Sequence, residues 1–208
     1  MTIQKPKNIK TIVFDLGAVL IDWNPRYLYR KVFEDEEKME AFLSTICTPD
    51  WNEQQDAGRP IEEANQILIG QFPEHKEMIE LFYGRWTEML NGAIQGTVDI
   101  LKEIHATKKY QLLVLSNWSA ETFPHALERF DFLNLFDGKI ISGEHDLKKP
   151  DPKIYQLLED QFDMQFATSI FIDDSQRNVD GGNALGLYSI LFENPDQLRD
   201  DLEELNIL

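Results

Sequence analysis

The chain has 208 residues, of which 42% are hydrophobic, and 20 Lys and Arg against 37 Asp and Glu give a formal net charge of −17 at pH 7. The hydrophobic fraction is that of a globular protein and excludes an intrinsically disordered chain. The acidic balance argues against nucleic acid or an anionic membrane as the main partner. The length suits one large domain, or a core domain with a modest insertion.

Cysteine usage and hydropathy indicate the cellular setting. Cys47 is the only cysteine, so no internal disulfide can form, which fits a reducing compartment. Asp15 and Asp22 interrupt the first apolar run, and no stretch approaches the roughly 18 apolar residues that a membrane-spanning helix requires. The N-terminal segment also lacks a signal-peptide pattern. We therefore expect a cytoplasmic protein, either a monomer or a homodimer.

Four short apolar runs predict the strands of a sheet. They are TIVFD at 11–15, QLLVLSN at 111–117, SIFIDD at 169–174 and YSILF at 188–192. Continuous apolar runs are typical of strands covered on both faces. Helical patterns at 97–107 and 152–161 separate the later runs. This alternation predicts an α/β fold with a Rossmann-like, three-layer core built on a parallel sheet.

Residues 26–94 follow a different pattern. Apolar side chains recur at helical spacing, for example Phe42, Leu43 and Ile46, and no strand-like run interrupts them. The stretch DAGRP at 56–60 marks a break between two of these helices. We therefore predict two units, an α/β core formed by residues 1–20 and 95–208 and an inserted α-helical cap formed by residues 21–94.

Polar side chains end three of the predicted strands. They are Asp15, Ser116 and the adjacent pair Asp173 and Asp174. Because ligands of parallel α/β sheets gather at the carboxyl ends of the strands, we expect these side chains to converge. Grouped carboxylates repel one another unless a cation lies between them, and their hard oxygens suit Mg²⁺. From the residues alone, a strand-end cap at Asp15 and a solvated turn at 173–174 remain alternatives.

The motifs FDLGAVL, LSN, KKPDPKIY and FIDDSQRNVDGGNALG occur in an order that resembles the haloacid dehalogenase-like hydrolase superfamily, in its branch with a helical cap after the first motif. The resemblance covers nearly the whole chain. It implies that Asp15 is a nucleophile that forms an aspartyl-phosphate and is also a Mg²⁺ ligand. It implies that Lys149 neutralises the nucleophile and the transferring group, with Lys148 as a surface neighbour.

The same resemblance assigns the remaining motif residues. Ser116 would hydrogen-bond a phosphoryl oxygen, and Asn117 beside it would contact the substrate. Asp174 would hold Mg²⁺ directly, and Asp173 would do so directly or through water. Asn178 could orient the lysine or a carboxylate, or simply lie on a helix surface.

Gly17 departs from the pattern of most phosphatases in this superfamily, which have an aspartate two residues after the nucleophile. That acid protonates the leaving alcohol, a contribution typically worth about 10²–10⁴-fold. Gly17 keeps the backbone carbonyl, which the resemblance implies is a Mg²⁺ ligand, and relatives with the same DLG motif include sugar-phosphate phosphatases. We hypothesise that Asp22 or a bound water transfers the proton; alternatively, Asp22 caps a helix ahead of Pro25.

The predicted cap should select the substrate. Trp51 and Arg59 flank its break and are candidate substrate-binding residues, although an arginine beside Gly-Pro is also an ordinary turn residue. Trp23 and Trp118 could wall the pocket or pack in the core. The leading hypothesis is a Mg²⁺-dependent phosphatase acting on a small phosphorylated metabolite, a sugar phosphate for example. A 2-haloacid dehalogenase and a catalytically weak phosphometabolite-binding protein are the alternatives.

Overall fold

A five-stranded parallel sheet forms the centre of the protein in the computed structural model, which describes residues 5–208. The described residues contain seven strands, of which β2 and β3 form a separate two-stranded sheet. The strands are β1 (Thr11–Phe14), β2 (Ile21–Trp23), β3 (Leu90–Ala93), β4 (Gln111–Ser116), β5 (Gly138–Ile141), β6 (Ser169–Asp173) and β7 (Tyr188–Leu191). The sheet order is β5-β4-β1-β6-β7, and every neighbouring pair is parallel. The predicted α/β fold is therefore confirmed.

Ten α-helices accompany the strands in the described residues. They are α1 (Arg26–Tyr29), α2 (Glu36–Thr45), α3 (Pro49–Asp56), α4 (Ile61–Gln71), α5 (Lys76–Gly84), α6 (Gln95–Thr107), α7 (Phe123–Arg129), α8 (Pro152–Phe162), α9 (Gln176–Ala184) and α10 (Pro195–Glu204). The predicted helices at 97–107 and 152–161 correspond to α6 and α8, and the break at 56–60 separates α3 from α4. Among residues 5–208, no helix has the length and apolar character needed to cross a membrane.

Strand β1 explains why the sheet is buried on both faces. Ile12 and Phe14 pack into one apolar cluster, whereas Val13 packs into a second cluster on the opposite face, with Tyr155 and Phe171. Successive side chains of a strand point to opposite faces. Each face therefore needs its own helical layer, which gives the three-layer core.

Two parts of the sheet structure were not predicted. Strand β5, with the sequence GKII, lies at the sheet edge and opens with a glycine and a lysine, so it lacks a continuous apolar run. Strand β3, with the sequence LNGA, pairs antiparallel with β2. The prediction that no strand interrupts residues 26–94 was wrong, because β3 has one buried residue and is defined mainly by backbone pairing.

The helices α1–α5 lie between β2 and β3 and share a cluster of aromatic rings. Tyr29 lies within 5.1 Å of Phe42 and 6.2 Å of Phe82 between ring centroids, and Phe82 lies within 5.9 Å of Trp86. These rings are continuous with the apolar cluster that contains Ile12 and Phe14 of β1. The division into a core and a cap remains a prediction, and residues 1–4 of the predicted core range lie outside the described residues.

Gly58 permits a close approach between the α3–α4 connection and the loop that contains Asp146. Its φ is +99°, and a Cβ atom there would lie 2.0 Å from Asp146 Oδ1 and 3.2 Å from Asp146 Cα. We expect Gly58→Ala to lower the free energy of unfolding by about 1–3 kcal/mol, measured by urea denaturation. Gly70→Ala is the matched control, because a Cβ at Gly70 meets nothing within 4 Å. An equal effect of the two substitutions would contradict this explanation.

Candidate active site

Asp15 follows β1 directly and is held at the carboxyl edge of the sheet. Its backbone N–H donates to the Ile172 carbonyl of β6 at 2.9 Å, and its Oδ1 accepts from the Leu16 N–H at 2.7 Å. Its Oδ2 lies 3.1 Å from Lys149 Nζ. Burial raises the pKa of Asp15 to about 7, although Lys149 opposes the shift and Asp173 adds to it. Because this pKa lies near neutrality even with Lys149 in place, a second cation at the site would favour the ionised carboxylate.

Lys149 is fully buried and joins two strand ends through its ammonium group. Its Nζ donates to Asp173 Oδ2 at 2.6 Å and to the Leu115 carbonyl at 2.8 Å, besides its ion pair with Asp15. Burial alone would lower the pKa of Lys149, but the two carboxylates outweigh burial and raise the pKa above its ordinary value. Lys149 therefore carries a fixed positive charge beside Asp15.

Asn117 fixes the backbone of Lys149. Its Nδ2 donates to the Lys149 carbonyl at 3.1 Å, and its Oδ1 accepts from the Lys149 N–H at 2.8 Å. The residue was predicted to contact the substrate, and it also lines the cavities described below. Its side-chain hydrogen bonds, however, go to Lys149, so its observed contribution is to position that lysine.

Asp173 and Asp174 differ in their surroundings although they are adjacent. Asp173 is fully buried, and both of its oxygens accept hydrogen bonds, from Lys149 Nζ, from the Ser175 N–H and from Asn178 Nδ2. Asp174 is exposed, and its carboxylate accepts no side-chain hydrogen bond within residues 5–208. Of the pair, Asp174 therefore has the greater free capacity to bind a cation.

The donor set fits a divalent cation with a preference for oxygen. One carboxylate oxygen from each of Asp15, Asp173 and Asp174 lies within 4.8 Å of the others. Three carboxylates at this separation repel one another, and a hard cation such as Mg²⁺ would offset that repulsion. Asn178, for which sequence left two roles open, is buried and holds the Asp173 carboxylate with hydrogen bonds of 3.0 and 3.2 Å.

Ser116 supplies a buried hydroxyl at the end of β4. Its side chain is 1% exposed, and its Oγ has no hydrogen-bond partner among the described residues. Buried hydroxyl groups in proteins are usually paired. Although it makes no hydrogen bond of standard geometry, this hydroxyl interacts with Asp15 and lowers the pKa of that carboxyl, so it lies where it could donate to an oxygen of a ligand bound at Asp15.

Two cavities adjoin these residues. The larger has a volume of about 540 Å³. The sheet edge contributes Asp15 and Asp174 to its lining, and the helical segment contributes Leu43, Cys47 and Phe82. The smaller, of about 90 Å³, is lined by Gly17, Trp23, Asn52, Asp56, Trp86, Asn117 and Trp118. Gly17 is common to both, and a Cβ atom built on it meets nothing within 4 Å. A side chain at position 17, where most phosphatases of the superfamily have an aspartate, would therefore enter open space.

Two predicted substrate-binding residues lie elsewhere in the structure. Trp51 is 8% exposed and packs edge-on against Phe82, and Arg59 donates to Gln55 Oε1 and to the Trp51 carbonyl. Neither lines the two cavities. Their observed contacts lie within the helical segment, so the structure does not bring them to the strand ends.

Asp22 has no observed contact with the strand-end residues. Its Oδ2 accepts hydrogen bonds from Tyr27 Oη and from Asn91 Nδ2, each at 2.8 Å, and the residue lines neither cavity. It does not cap α1 either, because Asn24 Oδ1 accepts the Arg26 N–H in the preceding turn. The contacts of Asp22 support neither of the two roles considered for it.

Helix α3 docks on the edge of the core through residues that sequence reasoning did not select. Thr48 caps its N-terminus by accepting the Trp51 N–H. Glu53 pairs with both Lys148 and Arg177 of the core, and the Ser142 hydroxyl donates to the carbonyl at the end of the helix. Lys148 is therefore a docking residue. The only sequence signal for these contacts was the helix break at 56–60.

Comparisons with known proteins agree with this geometry. Residues 12–192 match the family described as haloacid dehalogenase-like hydrolase. The chain is 26% identical over 182 residues to the sesquiterpene phosphatase astK of Aspergillus oryzae, covering 87% of this chain and 88% of that protein. It is 24% identical over 194 residues to a phosphorylated carbohydrates phosphatase of Thermotoga maritima, covering 88% and 84%.

A solved structure of similar fold comes from Bacteroides thetaiotaomicron. It is a HAD family enzyme in complex with magnesium and inorganic phosphate, with a TM-score of 0.67 and 20% identity, covering 90% of this chain and 96% of that chain. At this level of identity the likeness shows a shared fold.

Proposed function

This chain belongs to the haloacid dehalogenase-like hydrolase family, and on that premise we propose that it is a Mg²⁺-dependent phosphatase acting through an aspartyl-phosphate on Asp15. The substrate class is a small phosphorylated metabolite, with sugar phosphates as the first candidates. One observation carries the proposal: Asp15 lies beside the fixed charge of Lys149 and within 4.8 Å of two further carboxylates. That arrangement provides a nucleophile, a buried ammonium group and a cation site at one strand edge.

The residues would divide the chemistry as follows. An Asp15 carboxylate oxygen attacks phosphorus, Lys149 offsets negative charge on the transferring group, and Ser116 Oγ donates to one of its oxygens. Asp15, Asp174 and the Gly17 carbonyl would hold Mg²⁺, with Asp173 directly or through water. When bound, Mg²⁺ supplies charge neutralisation and orients the phosphoryl group.

The larger cavity supports a small-molecule substrate. Its volume of about 540 Å³ falls in the usual range for metabolite sites. Its wall includes polar residues such as Asn24 and Thr48 and apolar residues such as Leu43 and Phe82. The two phosphatases similar to this chain are named for a sesquiterpene and for phosphorylated carbohydrates. A prenyl phosphate therefore belongs beside sugar phosphates among the candidates.

We also propose the division of the chain into a core of residues 1–20 and 95–208 and a cap of residues 21–94. The helical segment between β2 and β3 supplies part of the larger cavity, while the strand ends supply the rest. This arrangement supports the assignment of substrate selection to the cap. The single buried cysteine is consistent with a cytoplasmic location.

The proposed activity predicts metal-dependent release of phosphate. We expect the purified protein to hydrolyse at least one ester in a panel of hexose phosphates, glycerol phosphate, a prenyl phosphate and p-nitrophenyl phosphate. The reaction should require Mg²⁺ and stop on addition of EDTA, because removing the cation leaves three carboxylates around the phosphate. Phosphate release is measured colorimetrically.

The same assay includes 2-chloropropionate to test the alternatives. Chloride release that is insensitive to EDTA would overturn the proposal in favour of a dehalogenase. Mg²⁺-dependent binding of a phosphate ester without turnover would instead indicate a phosphometabolite-binding protein.

A further inference from the structure

Asp56 brings a carboxyl group from the helical segment to the open space beside Gly17. It is the last residue of α3 and lines both cavities. Among the described residues that line the smaller cavity, Asp56 is the one with an ionisable side chain. Gly17 lines the same cavity. Asp56 and the position that lacks an acid, Gly17, therefore line the same cavity.

We propose that Asp56 is the catalytic acid and base of this enzyme and replaces, from the helical segment, the side chain that Gly17 lacks. The inference rests on the proposed phosphatase function and goes beyond it by assigning the proton transfers. On this assignment, the contacts that dock α3 on the core also hold the catalytic acid in place.

The proton transfers balance over the two halves of the reaction. In the first, Asp15 forms a bond to phosphorus, the bond from phosphorus to the ester oxygen breaks, and protonated Asp56 gives its proton to the departing alkoxide. In the second, the Asp56 carboxylate takes a proton from water as that water attacks phosphorus. The bond between Asp15 and phosphorus then breaks, which releases phosphate and restores both residues.

Several contacts fix the position of Asp56. Asn52 Nδ2 donates to its Oδ2 at 3.1 Å, and Ser142 Oγ donates to its backbone carbonyl. One turn earlier, Glu53 pairs with Lys148 and with Arg177. These pairs tie α3 to the loop that precedes α8 and to the first turn of α9. A proton donor must be held in place to act in the transition state, and these contacts provide that restraint.

The surroundings of Asp56 also favour a carboxyl group that first donates and then accepts a proton. Burial, more than any other cause, raises the pKa of Asp56 to about 7. The charged or titratable groups that face it are Glu53, Tyr83, Lys148 and Asp15. Glu53 and Asp15 raise the pKa further, whereas Lys148 and the Ser119 N–H oppose them. A carboxyl group with this pKa can both give and accept a proton at neutral pH.

The proposal is tested by the dependence of Asp56→Asn on the leaving group. An alkoxide leaving group needs a proton, whereas p-nitrophenolate leaves readily without one. For the best alkyl phosphate of the panel, we expect kcat/KM to fall about 10²–10⁴-fold in the variant. For p-nitrophenyl phosphate, the fall should be less than about tenfold. An equal loss for the two esters, or no loss for either, would overturn the proposal.

A double variant separates a missing acid from a damaged fold. Because a Cβ at Gly17 meets nothing within 4 Å, we expect Gly17→Asp to be accommodated and to restore hydrolysis of the alkyl ester in the Asp56→Asn background. Failure of this rescue, with thermal stability unchanged, would count against the proposal. Asp50→Asn, at an exposed position of the same helix, is the matched control and should leave activity unchanged.

The pH profile supplies an independent readout. With the alkyl ester, kcat/KM of the unmodified enzyme should decline as pH rises through the pKa of Asp56, because the acid loses its proton. That decline should be absent from Asp56→Asn and present in Asp50→Asn. A decline that persists in Asp56→Asn would overturn the assignment. Absence of phosphate release by the unmodified enzyme would instead refute the proposed function itself.

Discussion

Replacing Asp15 with asparagine should abolish phosphate release, with kcat at least about 10⁴-fold lower than that of the unmodified enzyme. Asparagine preserves the size of the side chain and removes the charged oxygen that attacks phosphorus. Among the carboxylates described around the site, Asp173 is held by Lys149 and Asn178, whereas Asp174 and Asp56 are assigned to cation binding and to proton transfer. Phosphate release under saturating substrate is the measurement.

Cation binding provides a second readout for Asp15→Asn. Mg²⁺ binds the folded state, so millimolar Mg²⁺ should raise the Tm of the unmodified protein. The rise should be smaller in Asp15→Asn, because one of the three grouped carboxylates is lost. Asp160→Asn, at an exposed position on α8, is the control for both measurements. Substantial turnover by Asp15→Asn would show that the nucleophile lies elsewhere.

The strand-end part of the site could be predicted because each of its strands is marked by a local apolar run that ends in a polar residue. Asp15, Ser116 and Asp173 each end an apolar run, and the carboxyl ends of parallel strands meet at one edge. The register of β1 with β4 and β6 then brings the three residues together. The edge strand β5 and the paired strands β2 and β3 lack such a run. These segments form strands because their backbones pair with segments that are distant in sequence.

The contribution of the helical segment could not be predicted for a related reason. The Glu53–Lys148 pair that docks α3 joins residues 95 positions apart. Helical periodicity shows which face of α3 is apolar but does not indicate which core loop that face meets. Asp56 therefore looked like part of a turn, and Arg59, three residues later, looked like a substrate contact. The structure places Asp56 on both cavities and Arg59 on neither.

Replacing Lys149 with methionine should produce the largest loss of stability among these variants. Lys149 is fully buried between Asp15 and Asp173, so methionine fills a similar volume and leaves two buried carboxylates without their cation. Breaking a buried ion pair by removing one partner costs about 3–5 kcal/mol. We expect a loss of that size in the free energy of unfolding at neutral pH, measured by urea denaturation in EDTA.

Lys148→Met is the matched control for this prediction. The Lys148 side chain is 26% exposed and pairs with Glu53 at the surface. Partly exposed pairs contribute about 0–1 kcal/mol, so the control should stay within that range. Similar losses for the two lysine variants would contradict the assignment of Lys149 as the buried partner of both carboxylates.

The loss of unfolding free energy in Lys149→Met should increase with pH, because the buried carboxylates then ionise without their cation. Burial raises the pKa of Asp15 to about 7 even though Lys149 opposes the shift, so removing Lys149 raises that pKa further. The folded variant then binds more protons than the unfolded chain, and its stability rises as pH falls. The difference from the unmodified protein should therefore be largest at about pH 8 and smaller at about pH 6. A difference that grows as pH falls would show that another group controls the stability of the variant.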